Sequence, residues 1–421
     1  MIQTKDTRET LPKVDTVYGL LEQHEEWIDR SCLNLYPASN VMSERARTVL
    51  ASSIATRVAE GDVGRKYQTG VKYLEQIEVL TNGLLRRLFH ANFVEARILS
   101  GTMANAVVFG ALLEPGDTIM ALSTSAGGHI SHNKLGVAGY HKLVTEFLDF
   151  DLETMNIDVQ ALEKKAAEIK PRLVILGGSL LLFPPPIQLV KQALQGLDTL
   201  LLFDMAHVAG LVAGEQFPNP LDEGADILTS STYKTFPGPP GGFIACNDES
   251  IFKRIRRATF PGMTASFHGN AMAALAVTCI EMLEFGKEYA EQIVTNSKSL
   301  AKELDIRGFD VLGKKQGYSG THQVVLDVSA LGGGHRCAEL LESANIICNK
   351  NLLFSDPPRK AFHPSGLRIG VQEVTRLGMK ENEMRRIAEF FHTVLLQNRP
   401  PSDVAIEVKA FRSHYQAIHY C

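Results

Sequence analysis

Four short apolar runs separated by amphipathic stretches constrain this chain more than any other feature. Residues 118–122 (TIMAL), 173–176 (LVIL), 199–203 (TLLLF) and 243–246 (FIAC) are short and continuously apolar, the signature of strands buried on both faces. Helical patterns lie between several of them. Ile77, Leu80, Leu84 and Leu88 recur at helical spacing across residues 73–89, and Gly101-Thr102-Met103-Ala104-Asn105 opens a second helix toward Val107, Val108 and Leu112. Strands alternating with helices predict an α/β fold with a mainly parallel sheet. From about Met282 the texture becomes a long helical pattern with Ile293, Leu300 and Leu304 on one face, followed by strand candidates at 324–328 and 367–369. The expected organisation is an N-terminal arm (1–40), a large cofactor-binding domain (41–285) and a smaller C-terminal α/β domain (286–421), ending in a mixed helical tail from Pro401.

Composition narrows the partners. The 421 residues carry a net charge of −4, which argues against nucleic acid, whose phosphates require a concentrated basic surface. The six cysteines show no CxxC spacing, so neither a disulfide framework nor a zinc site is expected. No apolar run reaches the roughly 18 residues of a membrane span, and MIQTKDTRETLPKVD is not a signal sequence. A soluble, cytoplasmic protein acting on a small molecule is the expectation.

Chemistry concentrates in a few segments. Lys234 follows the hydroxyl-rich run Thr229-Ser230-Ser231-Thr232 and precedes the turn Pro237-Gly238-Pro239-Pro240-Gly241-Gly242. An amine presented at a strand end can form an imine with an aldehyde cofactor, and the neighbouring hydroxyls can bind a phosphate. The run 199–203 leads into Asp204-Met205-Ala206-His207, putting a carboxylate at the strand edge where α/β sheets bind ligands. There an aspartate can hold a pyridine nitrogen protonated, while His207 binds a ring oxygen or stacks. A helix cap is the competing reading; a metal pair is disfavoured because no third ligand is suggested. Ser100-Gly101-Thr102 sits between a strand candidate and a helix, where backbone amides hold phosphate. Gly127-Gly128-His129 can lay an imidazole over a planar ring. Arg368, inside the apolar Gly366-Leu367-Arg368-Ile369-Gly370, is costly unless it meets a carboxylate, either a substrate's or that of a structural ion pair.

In this order and spacing the motifs resemble those of the serine hydroxymethyltransferase family, aspartate-aminotransferase-like (type I) pyridoxal-phosphate enzymes, from about Leu33 to Met379. Further matches are Val58-Ala59-Glu60-Gly61-Asp62-Val63-Gly64-Arg65-Lys66-Tyr67, Asp204 through Val212, and Asn349-Lys350-Asn351. The resemblance implies that Lys234 carries pyridoxal 5'-phosphate, Asp204 pairs with its ring nitrogen, His129 stacks, His207 and Ser179 contact the ring hydroxyl region, and Ser100, Gly101 and Thr102 hold the phosphate. It implies Arg368, with Tyr67 and Asn351, at the substrate, and Glu60 as the proton-transfer group. A homodimer with shared active sites follows, in which Glu60, Tyr67 and Phe260-Pro261-Gly262 serve a neighbour's cofactor, with tetrahydrofolate as co-substrate.

Some positions depart from the family pattern. Val58 and Gln68 replace two tyrosines, Ala38-Ser39-Asn40 replaces a Ser-Glu-Asn motif, Tyr233 stands where histidine is usual, and Pro237 and Pro240 replace two arginines. Pro237-Gly238-Pro239 and Gly370-Val371-Gln372 are similar to the threonine transaldolases. The leading expectation is hydroxymethyl transfer on serine or a related, even α-substituted, β-hydroxy amino acid. A folate-independent aldolase or transaldolase and a non-catalytic binding subunit are the alternatives.

Overall fold

The computed structural model describes residues 13–421; the opening residues of the expected N-terminal arm lie outside them. Seven strands form the large sheet: β1 (Phe93–Ile98), β2 (Thr118–Ala121), β3 (Val144–Phe147), β4 (Leu173–Gly177), β5 (Leu200–Asp204), β6 (Ile227–Ser231) and β7 (Gly242–Cys246). Their order is β1-β7-β6-β5-β4-β2-β3. Every pairing is parallel except the two made by β7, which runs antiparallel to both β1 and β6. The four apolar runs are β2, β4, β5 and β7. Strand β5 begins at Leu200 and continues through Asp204, because the backbone of Asp204 is still in the ladder, paired with Gly177 and Thr229.

Both faces of the sheet are covered. Phe89, Phe203, Phe236 and Phe243 belong to one large apolar cluster, and Ile98, Val107, Phe109, Ile175 and Ile244 to a second. Continuous apolar strands are the expected result of such double burial.

A second sheet is wholly antiparallel: β8 (Asp310–Val311), β9 (Gln323–Asp327), β10 (Asn349–Asn351) and β11 (Gly366–Gly370), in the order β8-β9-β11-β10. The long helix Gly269–Ile306 links the two sheets and runs straight through position 285. Its first third lacked a visible amphipathic period because Met272, Ala274, Leu275, Ala276 and Cys279 are all buried; a helix covered on several sides loses its polar stripe. The tail from Pro401 is a regular helix to Arg412. Among the described residues no helix is long and apolar enough to cross a membrane.

Candidate active site

Five parallel strands of the large sheet deliver residues to one cavity at their carboxyl ends, the position at which α/β sheets bind ligands. Ser100, Gly101 and Thr102 follow β1, His129 follows β2, Gly178 follows β4, Asp204 and His207 end β5, and Ser231, Tyr233 and Lys234 end β6; all line it. Two glycines allow this convergence. Gly177 has φ +81, and a Cβ there would meet the Asp204 carbonyl oxygen at 2.1 Å; a Cβ on Gly128 would lie 1.9 Å from the Leu122 carbonyl oxygen. Any side chain would push the strand ends apart.

The floor of the cavity is a hydrogen-bonded cluster around Asp204. Its Oδ2 lies 3.0 Å from His132 Nε2 and accepts from Asn105 Nδ2 at 3.0 Å, while Oδ1 accepts from the Ala206 N–H at 3.1 Å. Burial alone would push this carboxyl up, but the His132 hydrogen bond and the His132 and His129 rings hold it well below its ordinary range. Asn105 is oriented in turn by Thr229 Oγ1, which donates to its Oδ1 at 2.7 Å. Neither Asn105 nor His132 stood out in the sequence reading, although His132 lies one helical turn beyond His129.

That cluster corrects the expectation that no third metal-type ligand accompanies Asp204. Donor atoms of His129, His132 and Asp204 lie within 4.8 Å of one another. All three are already engaged: His129 Nδ1 accepts from the Ser131 N–H at 3.2 Å and lies 2.7 Å from Ser131 Oγ, and His132 Nε2 meets Asp204, whose Oδ1 accepts only one hydrogen bond among the described residues and so keeps acceptor capacity. The set fixes the orientation of a buried carboxylate that lines the cavity.

Lys234 is buried in the wall of the same cavity. Desolvation lowers its amine from the usual lysine range to about 8, against the opposing pull of Asp204. An amine with a substantial neutral fraction near neutral pH is the form that attacks an aldehyde. Most of the hydroxyls flanking it are engaged within the protein. Thr229, Ser230, Thr232 and Thr235 donate to Asn105, the Ser231 carbonyl, the Pro239 carbonyl and the His207 carbonyl, respectively. They build the turn that carries the lysine. Phosphate-type donors remain at Gly101 and Thr102, whose N–H groups open the helix Gly101–Leu112 without a backbone acceptor among the described residues, Ser100 being its N-cap.

Arg368, in β11, is the third charged group. Its Nε donates to Asn349 Oδ1 at 3.2 Å and its NH1 to the Ser179 carbonyl. No carboxylate among the described residues pairs with it, so the structural ion pair considered from sequence is not formed; burial lowers its basicity to about 10. Asn349 lies directly across the ladder in β10, while the amide of Asn351 donates to the Leu352 carbonyl at 2.6 Å. Ser179 offers Arg368 its backbone carbonyl.

Asn40 and Gln372 belong to two segments that depart from the family pattern, and both make contacts near the site. Asn40 Nδ2 donates to the Lys234 carbonyl at 2.6 Å and lies 2.8 Å from Tyr289 Oη. Gln372 Nε2 donates to the carbonyls of Tyr36 at 2.8 Å and Ser39 at 2.7 Å. Together they pin the segment 36–40 beside Lys234 and Arg368.

Glu60, Tyr67 and Gly262 are not among the residues lining the Lys234 cavity. Glu60 Oε2 accepts from Gln68 Nε2 and its N–H donates to Gln68 Oε1, both at 2.8 Å. Tyr67 is 77% exposed, with its ring centroid 5.9 Å from that of Phe260. This loop is fastened to the sheet by buried charges. Lys66 pairs with Glu78 and Arg97 with Glu95, each at 2.6 Å, and both cations donate to the Gly61 carbonyl, at 2.7 and 3.0 Å.

The donor set fits pyridoxal phosphate: a depressed amine, an ionised carboxylate held for a ring nitrogen, and backbone N–H groups for a phosphate. Comparison with known proteins agrees. The family described as Serine hydroxymethyltransferase matches residues 12–391. The serine hydroxymethyltransferase of Staphylothermus marinus is 42% identical over 99% of this chain and 94% of its own length. That of Pyrococcus furiosus is 45% identical over 96% of both. Among solved structures, an L-threonine transaldolase from Pseudomonas fluorescens superposes with a TM-score of 0.89 at 26% identity, covering 97% of this chain and 93% of that one. With its type I fold and this cavity, the chain belongs to the serine hydroxymethyltransferase family of pyridoxal-phosphate enzymes.

Proposed function

We propose that this protein makes and breaks the Cα–Cβ bond of serine or a closely related β-hydroxy amino acid, passing the one-carbon unit to or from tetrahydrofolate. The observation that carries the reading is a cavity lined by both Lys234, its amine depressed, and Asp204, held ionised, with the buried Arg368 guanidinium, which has no carboxylate partner among the described residues, donating to the carbonyl of Ser179 next to the lining residue Gly178. When bound, pyridoxal phosphate supplies an electron sink for the carbanion that bond cleavage leaves at Cα.

The protein's own groups do the rest. Lys234 would hold the cofactor through its amine, whose lowered basicity suits attack on an aldehyde. Asp204 keeps the ring nitrogen protonated, oriented by His132 and Asn105. His129, lowered to about 4 mainly by burial, is neutral and lies against the cavity as an apolar face. Gly101 and Thr102 donate to phosphate oxygens. Arg368 takes the substrate carboxylate, which supplies the partner that its burial demands.

Glu60 moves the proton at the β-oxygen. Because it stands outside the Lys234 cavity of its own chain, it serves a second copy, as do Tyr67 and the loop containing Gly262. Exposed apolar groups around that loop support a homodimer: Val58 (49%), Val63 (45%), Tyr67 (77%) and Met263 (42%). The family resemblance assigns Asn351 to the substrate side, and a cytoplasmic location suits the chemistry.

The deciding assay measures serine cleavage with and without tetrahydrofolate, beside threonine cleavage with and without an acceptor aldehyde. Folate-dependent serine turnover is expected. Serine turnover unchanged by folate, with aldehyde-dependent threonine turnover, assigns the chain to transaldolase chemistry, the reading that Pro237-Gly238-Pro239 favours.

A further inference from the structure

Gln323 opens strand β9 and is fully buried. Its side-chain amide is held by two backbone groups of opposite character. Oε1 accepts from the Leu181 N–H at 2.8 Å, and Nε2 donates to the Ser179 carbonyl at 2.9 Å. An N–H only donates and a carbonyl only accepts, so these neighbours leave the amide one orientation. The second Nε2 hydrogen then faces His207 Nδ1, 3.1 Å away. Only an unprotonated ring nitrogen can accept it.

His322 imposes the same condition. Its ring stacks on His207, with centroids 5.5 Å apart and planes at 18°. Its Nε2 lies 3.2 Å from the Pro37 carbonyl oxygen and 3.4 Å from His207 Nδ1. The carbonyl requires His322 to carry its hydrogen on Nε2, so this neighbour too is a donor beside His207 Nδ1. His207 Nε2 has no hydrogen-bond partner among the described residues, and the ring borders the cavity. Burial is the largest influence on its basicity, and the charged and titratable groups facing it, Lys234, Arg368, His322 and His129, act in the same direction and keep it neutral.

We propose that Gln323 is a positioning residue that fixes His207 as the Nε2–H tautomer, aiming a single hydrogen-bond donor at the ring oxygen of the bound cofactor. The inference rests on the pyridoxal-phosphate reading for its target, but the tautomer belongs to the protein alone. The opposite tautomer would turn a bare lone pair toward an anionic oxygen and a hydrogen toward the Gln323 hydrogens. Gln323 also shares the Ser179 carbonyl with Arg368, so one amide supports both the ring-oxygen donor and the carboxylate clamp.

The test begins with the full chain stripped of cofactor and labelled with ¹⁵N-histidine, the His207 signals being assigned by their loss in His207→Phe. A protonated Nε2 and a bare Nδ1 are expected; an Nδ1–H form, or an even mixture, overturns the proposal without reference to any variant. In Gln323→Met, which keeps the length and removes the donor, the Nδ1–H form should become populated. Pyridoxal phosphate should bind about five- to tenfold more weakly, as for the loss of one oriented hydrogen bond. The pH midpoint of the bound cofactor's visible absorbance should rise, because a donor at the ring oxygen competes with the proton shared there. A packing role alone would weaken binding and leave tautomer and midpoint in place, and that result also overturns the proposal. Failure of the wild-type chain to bind pyridoxal phosphate would strike at the cofactor reading while leaving the tautomer measurement standing.

Discussion

The Lys234 cavity and the Glu60 loop are both built on the large sheet, and they are finished to different degrees. In and beside the cavity, Asp204, His207, Lys234 and Arg368 are buried, and Asp204, His207 and Arg368 are oriented by named neighbours. On the loop, Tyr67 is exposed, and Glu60 is gripped by Gln68 without facing any reacting group of its own chain. One region is complete within a single chain, and the other presents prepared side chains outward. If Glu60 has the proposed role, cofactor binding and proton transfer are separable here by mutation.

The strongest way to break that separation is Lys234→Ala. Turnover should fall by roughly a thousandfold or more, since the covalent anchor is removed, and the visible absorbance of the bound cofactor should be lost. Retention of that absorbance would relocate the anchor. Glu60→Gln should reduce kcat by about 100-fold or more, the usual worth of a positioned acid or base, with cofactor affinity unchanged. Weakened cofactor binding would place Glu60 in the first region instead of the second. Arg368→Leu should raise KM for serine about 30–100-fold, as for the loss of a charge-assisted hydrogen-bonded pair, and have little effect on substrate analogues lacking the carboxylate.

Subunit mixing sharpens the comparison further. Lys234→Ala and Glu60→Ala are each defective, but randomly reassorted dimers should regain roughly a quarter of wild-type activity, because half the dimers then hold one intact site of two. No recovery on mixing would return Glu60 to its own chain's cavity. The smallest effect concerns Glu373, which lies outside both regions. Its carboxyl, buried and accepting from Asn34 Nδ2 at 2.8 Å, is pushed up to about 8 by desolvation. Between its ordinary value and about pH 8 the native state holds a proton that the unfolded state has released, so this group's contribution to stability falls as pH rises through that window. Glu373→Gln should flatten that part of the pH–stability profile, measured by denaturant unfolding, and leave activity unaltered.

The first region was more legible in the sequence than the second. Strands buried on both faces write themselves as unbroken apolar runs, so the charged residues at their ends, Asp204 and Lys234, stood out against them. Arg368 was visible for the same reason, as a cation inside an apolar strand. Its partners were not, because a cross-strand neighbour such as Asn349 and a carbonyl such as that of Ser179 are set by register, which leaves no local mark in the chain. Gln323, likewise, reads as an ordinary polar residue opening a strand. The amphipathic signal failed at the start of the helix Gly269–Ile306 because burial on several sides had erased it. Glu60 and Tyr67 were found by resemblance, since an exposed loop carries no periodicity.

The four buried charges beneath the Glu60 loop bear on how two copies would meet. Lys66, Glu78, Glu95 and Arg97 hold the backbone at Gly61 from within, so the loop's shape is settled before association. A segment that is already ordered loses little conformational freedom on docking. Cutting the Arg97 contact to Gly61 would therefore be felt first as a rise in the dimer dissociation constant, with the chemistry at Lys234 failing only as the subunits separate.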